Sequence, residues 1–210
     1  DARSDGIRDP ANAYLPDMVQ LEAAAQHTSF DNVIIDEEAS TVYLSDSEMR
    51  LDVGAVAKGY AVARVCEQAP EGLLLSVGGN VCATGPKTVQ GDPWVIGIQD
   101  PDNSSANLHT IRITGGSVVT SGDYQRSYRV EGKSYHHIID PETLKPGTLW
   151  RSVSVVCYDS ALADALSTSL FLLPLEEGKA LAARCNVQVF WLDHQGQEYM
   201  TDEFQALIRT

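Results

Sequence analysis

Cysteine is scarce in this chain and poorly placed for pairing. Only Cys66, Cys82, Cys157 and Cys185 occur in 210 residues, with no CxxC pair and no Cys/His cluster, which excludes a zinc site of ordinary spacing and a dense disulfide framework. Three of them sit in apolar runs (AVARVCEQ, NVCATG, SVVCYD) and read as buried small hydrophobes, so they say nothing of redox compartment. Positive charge is also short: 15 Lys and Arg against 29 Asp and Glu leave a net charge of −14. That balance disfavours nucleic acid or an anionic membrane surface as a partner. A phosphate-bearing ligand must then be held by backbone N–H groups, a few local cations or a metal. No apolar run approaches the roughly 18 residues of a membrane span, and the opening DARSDGIRDP has no signal-peptide core. The first residue is not methionine, and the expectation is a processed piece whose address label lay upstream.

What is present is the composition of an ordinary globular protein, 43% hydrophobic with 16 glycines and 9 prolines. Periodicity predicts helices over Leu15 to Gln26, Ala55 to Gln68, Asp159 to Leu173 and Leu175 to Arg184. Strands are predicted at Asn32 to Ile35, Thr41 to Leu44, Leu73 to Val77, Val81 to Thr84, Trp94 to Gln99, Leu108 to Thr114, Ser117 to Thr120, Arg126 to Val130, Lys133 to His137, Val153 to Cys157, Val187 to Leu192 and Glu198 to Met200. Most connections are too short for parallel crossovers, so the class is α+β with mainly antiparallel sheets and packed helices. No linker rich in Gly, Ser or Pro cuts the chain, and residues 1–210 read as one domain.

Four segments carry candidate chemistry. The helix DSALADALSTSLFLL is apolar almost all round yet holds Asp164, with Thr168 one turn later on the same side. A buried carboxylate must be paired, hydrogen-bonded or bound to a metal. Either Asp164 ligates a hard cation, or it accepts backbone N–H groups while Thr168 bonds back to the Asp164 carbonyl. In LDVGAVAKGYA, Lys58 either snorkels to solvent or, with the helix N-terminus and Gly54 and Gly59, meets a phosphate; Asp52 is placed to cap that helix. The Gly78–Gly79 pair of LLLSVGGN is a tight turn or a ligand loop, without Walker or GxGxxG spacing. Finally, Ser121, Gly122 and Asp123 form a turn signal, and His136 and His137 point to opposite faces, leaving one exposed.

Taken in this order, LDVGAVAKGYA, VGGN, TSGDY with GKSYHHIIDPETLKPG, and ADALSTSLF closely resemble the ApbE family, the FAD:protein FMN transferases once described as thiamine-biosynthesis lipoproteins. The resemblance implies an ApbE-like (T-fold-like) fold from about Leu15 onward. It also implies an enzyme that takes FAD as substrate and Mg2+ as cofactor, transfers FMN to a threonine or serine hydroxyl of an acceptor flavoprotein and releases AMP. Carried over by position, the carbonyl of Ala55, the carboxylate of Asp164 and the hydroxyl of Thr168 are the implied magnesium ligands, hard oxygen donors all. Asp52, Lys58, Gly79, Ser121, Gly122, Asp123 and Ile138 are the implied flavin-nucleotide contacts. His137 is the implied base for the acceptor hydroxyl, a role that suits an imidazole near neutrality. The family pattern also implies an extracytoplasmic, lipid-anchored location and an acceptor subunit in a redox or electron-transfer complex. Two departures stand out: Leu144 replaces a glycine common in the family, and the chain begins after a family N-terminal portion that contributes to the flavin site. The readings left open beside transfer are a flavin-binding module without catalysis and an FAD pyrophosphatase.

Overall fold

The structure, a computed structural model, describes residues 12–209; the opening DARSDGIRDP lies outside them. In chain order the elements are α1 (Met18–Ala25), β1 (Val33–Asp36), β2 (Thr41–Leu44), α2 (Gly54–Gln68), β3 (Leu74–Val77), β4 (Asn80–Ala83), β5 (Trp94–Gln99), β6 (Asn107–Ile113), β7 (Gly116–Gly122), β8 (Ser127–Val130), β9 (Lys133–His136), β10 (Ile139–Asp140), β11 (Lys145–Pro146), β12 (Ser152–Cys157), α3 (Ser160–Leu172), α4 (Leu175–Cys185), β13 (Gln188–Leu192), β14 (Glu198–Met200) and α5 (Asp202–Leu207). The α+β class with antiparallel pairing is as expected from the sequence. Three short elements were not: α5, and the two-residue strands β10 and β11, all too brief to carry a period.

The chain divides into two compact units. One comprises residues 53–125 and 147–209 and is built on a six-stranded antiparallel sheet in the order β14-β13-β12-β7-β4-β3. Alternation along its strands assigns each side chain to one face. Ala83, Val118, Val156, Phe190 and Leu192 join Ile96, Ile98, Ile111 and Ile113 of the β5–β6 hairpin and Phe204 of α5 in one core. On the opposite face, Asn80 and Ser121 bond to α3, which packs against β7 and β12 and against α2. Helix α3 starts cleanly because Asp159 accepts the N–H groups of Ala161 (2.7 Å) and Leu162 (3.2 Å). Its buried positions, Ser160, Ala163, Asp164, Leu166, Ser167, Leu170 and Phe171, recur every three to four residues and so lie along one broad stripe.

The other unit comprises residues 12–52 and 126–146. It holds α1 and three two-stranded antiparallel ribbons, β1–β2, β8–β9 and β10–β11. Only His136 and Ile138 are buried here, while Ile34, Ile35, Val42 and Tyr43 of the β1–β2 ribbon are exposed.

All four cysteines are free thiols. Burial, reinforced by Cys82, pushes the Cys66 thiol up to about 12, and burial likewise raises Cys157. Both shifts favour the protonated thiol; of the three cysteines expected to be buried, Cys82 is, while Cys66 and Cys157 are half-buried.

Candidate active site on helices α2 and α3

Helices α2 and α3 cross where α2 has no side chain. A Cβ on Gly59 would lie 2.3 Å from the Ser160 carbonyl oxygen and 2.6 Å from the Asp164 Cβ, so only glycine permits this approach. The close approach serves helix packing rather than a phosphate. It brings the Gly59 N–H to Asp164 Oδ2 at 2.7 Å, and Lys58 Nζ donates to Oδ1 at 2.5 Å. Asp164 is thus buried with both oxygens engaged, its side chain only 5% exposed against 31% for Lys58. By helix register the same Gly59 N–H faces the carbonyl of Ala55, one turn back.

The expectation that Lys58 would run to solvent is therefore corrected: its ammonium is held by Asp164. So is the role given to Thr168 in the metal-free alternative, for it is Ser167, not Thr168, whose hydroxyl donates to the Asp164 carbonyl at 3.0 Å. Thr168 instead faces Ser121, 3.5 Å between hydroxyl oxygens, and Ser121 shares a 2.8 Å hydrogen bond with Ser167. Asp52 is not the N-cap of α2. That position falls to Val53, which supplies no side-chain hydrogen bond, and the Asp52 side chain is exposed.

The Gly78–Gly79 pair is the tight turn between β3 and β4, with φ of 52° and 86° as a two-residue hairpin of this hand requires. The turn lies beside the site, because a Cβ on Gly78 would sit 3.8 Å from Lys58 Cδ. Asn80, directly after it, is fully buried and accepts the Ser160 hydroxyl at 2.9 Å, while its Nδ2 has no hydrogen-bond partner. Asn80, Ser160 and Ser167 were not singled out in the sequence. Their only signal was small polar residues at the α3 spacing and an Asn after a glycine turn.

Ser121 and Gly122 were expected in a turn but end strand β7, paired with Val153 and Ser152 of β12. Ladder bonds with β12 override the local turn propensity of Ser-Gly-Asp. Asp123 follows, its N–H donating to the Arg151 carbonyl at 3.1 Å and its carboxylate 3.2 Å from Arg151 Nε, so its charge is matched within the protein.

In the other unit, His136 and His137 do point apart. His136 is buried and accepts the Ile138 N–H at 3.3 Å; His137 is exposed, with Nδ1 3.3 Å from the Arg126 carbonyl. Desolvation holds the His137 imidazole below its usual range, against the pull of that backbone hydrogen bond. Ile138 is itself buried. Asp140 organises the DPETLKP hairpin by accepting the Glu142 N–H at 2.9 Å and the Thr143 hydroxyl at 3.0 Å. Leu144 closes it in the left-handed region, φ 57°, where glycine costs least.

The family model for ApbE matches residues 5–191. The chain belongs to the ApbE family. Curated relatives named FAD:protein FMN transferase include one from Klebsiella pneumoniae, 38% identical over 79% of this chain and 52% of the relative. Another, from Salmonella typhimurium, is 31% identical over 90% of this chain and 56% of the relative. The crystal structure of the ApbE protein from Thermotoga maritima superposes with a TM-score of 0.87 at 31% identity, covering 95% of this chain and 66% of that one. The flavin transferase ApbE from Vibrio cholerae gives 0.76 at 28% identity, covering 92% and 63%. The chain spans about half the length of the curated relatives it matches.

The α2–α3 crossing carries one carboxylate, one helix carbonyl and one hydroxyl, hard oxygen donors of the kind a divalent cation such as magnesium takes. Among the described residues no three His, Cys, Asp or Glu side chains cluster as metal ligands, and the Ala55, Asp164 and Thr168 set contains only one such side chain.

Proposed function

We propose that this ApbE chain transfers FMN from FAD to a threonine or serine hydroxyl of an acceptor flavoprotein, releasing AMP, in a magnesium-dependent reaction. The observation that carries this reading is the buried Asp164 carboxylate at the α2–α3 crossing, facing the Ala55 turn of α2, with Thr168 one turn along α3. The relatives' shared name supplies the reaction class.

In this reading Ala55, Asp164 and Thr168 hold the magnesium, which supplies charge neutralisation at the pyrophosphate as the bond to AMP breaks. The scaffold's task is to keep the oxygens in place: the Gly59 N–H fixes Asp164 Oδ2, and the Ser121–Ser167 pair borders Thr168. Within the sheet unit, Lys58, Gly79, Ser121 and Gly122 contact the flavin nucleotide, with Asp123 steadying the end of β7 through Arg151. His137, kept neutral by desolvation, takes the proton from the acceptor hydroxyl, which attacks phosphorus without a covalent enzyme intermediate. The acceptor belongs to a redox or electron-transfer complex, and the site of action is extracytoplasmic, with the full protein lipid-anchored. No described helix is long and apolar enough to cross a membrane.

The test is incubation of the chain with FAD, Mg2+ and a threonine-bearing acceptor, reading acceptor mass and AMP together, with a chelator control. An FMN increment with matching AMP, lost on chelation and in Asp164→Ala, is the expected result. AMP with free FMN and no increment identifies a pyrophosphatase instead. Bound flavin with neither product identifies a binding module.

A further inference from the structure

We propose that Lys58 is a built-in counter-cation for Asp164, which a divalent ion must displace in order to bind; this rests on the reading of Asp164 as a metal ligand. A carboxylate as deeply buried as Asp164 needs a compensating charge or hydrogen bonds in every state of the site. Its two oxygens are held differently. Oδ2 takes a backbone N–H that is fixed by the glycine contact between α2 and α3 and has no freedom to leave. Oδ1 takes an ammonium at 2.5 Å on a four-carbon stem, and that stem passes the side-chain-free Gly78 turn with about a third of its surface in water.

Two cations on one carboxylate repel strongly in a site shielded from water. The fixed partner therefore stays and the mobile one yields. Lys58 keeps the carboxylate satisfied while no metal is bound, then swings toward solvent and becomes a free donor for an anionic group of a nucleotide. Metal and phosphate binding are in consequence positively coupled, and reciprocally so. The exchange makes and breaks only ionic contacts, with no proton or electron transferred.

Titration calorimetry with Mg2+ alone, on wild type, Lys58→Met, Lys58→Arg and Asp164→Asn, tests this. Lys58→Met is expected to bind Mg2+ at least tenfold tighter than wild type, with a lower melting temperature without metal and a larger rise on adding it. Lys58→Arg, which retains the charge, is expected to show no such gain. Equal or weaker Mg2+ binding by Lys58→Met, while Asp164→Asn abolishes binding, overturns the exchange but leaves the metal reading intact. Wild-type Mg2+ binding that is absent, or that survives Asp164→Asn, overturns the metal reading and the exchange with it. If Lys58→Met does not fold, the 15N-lysine ammonium signal of the wild-type chain decides: it is expected to be lost or shifted to solvent-like exchange on adding Mg2+, and its persistence overturns the exchange.

Discussion

The α2–α3 crossing and the HIIDPETLKP hairpin both carry residues of the ApbE pattern, but the fold treats them in opposite ways. At the crossing, Gly59, Asp164, Ser160 and Ser167 are all buried, with Asp164 held from α2 and Ser160 and Ser167 bonded to the sheet. In the hairpin the fixed part is local: Asp140 bonds to residues two and three ahead, and His137 rests on one carbonyl with its ring exposed. A site that holds a charged group needs rigid, desolvated surroundings, since hydrogen bonds and ion pairs strengthen there. A group that meets an incoming protein hydroxyl has to stay accessible. Stability is therefore concentrated in the first region and accessibility in the second.

That contrast is broken or sharpened by substitution. The largest effect is expected from Gly59→Ala, whose new methyl meets the Ser160 carbonyl at a distance no relaxation of a side chain relieves. A loss of about 3 kcal/mol or more is expected in urea denaturation. A near-neutral result would mean that α2 and α3 slide freely and the crossing is not rigid. Lys58→Met comes next. Removing one partner of a buried pair costs about 3–5 kcal/mol when both are fully buried, and the partial exposure of Lys58 reduces the expectation to about 2 kcal/mol in the same assay.

In the hairpin the expected sign reverses. Leu144→Gly relieves the left-handed backbone by more than the extra conformational entropy glycine gives the unfolded chain, so a net gain of roughly 0.5 kcal/mol is expected by thermal melting. A loss would show that the Leu144 side chain contributes packing worth more than its backbone costs. His137→Gln is expected to leave stability within about 0.5 kcal/mol, as exposed positions do, while sharply lowering acceptor modification. Its pH behaviour has a definite sign. With its folded pKa below the ordinary value, the folded state binds fewer protons than the unfolded one in the acidic range. The small stability contribution of His137 is complete above about pH 6.5 and is lost as pH falls through the folded value. Wild-type transfer is likewise expected to persist somewhat below pH 6.5 before its acid limb, and a pH–rate profile of His137→Gln should lack that limb.

The same contrast governs what could be read before the structure. Strands β12 and β13 of the sheet unit were legible because they are short runs rich in Val, Phe and Trp, buried on both faces and bounded by polar turns, and α3 announced itself by its apolar run. Asp164 was legible as an anomaly in that run. Its partners were not, because Lys58 is more than a hundred residues distant and an exposed lysine looks the same in sequence as a paired one. The end of β7 was misread as a turn, since Ser-Gly-Asp has turn propensity and only the β12 ladder holds it extended.

By itself, then, the sequence determined the α+β class, the periodic elements and the ApbE pattern, because propensity, spacing and motif order are local properties of the chain. Only the tertiary structure decided which oxygen of Asp164 meets Lys58, why Gly59 must lack a side chain, and that Ser167 rather than Thr168 bonds back to the helix. Those depend on how closely two helices approach across a sheet, a distance set by the whole core and encoded in no single segment.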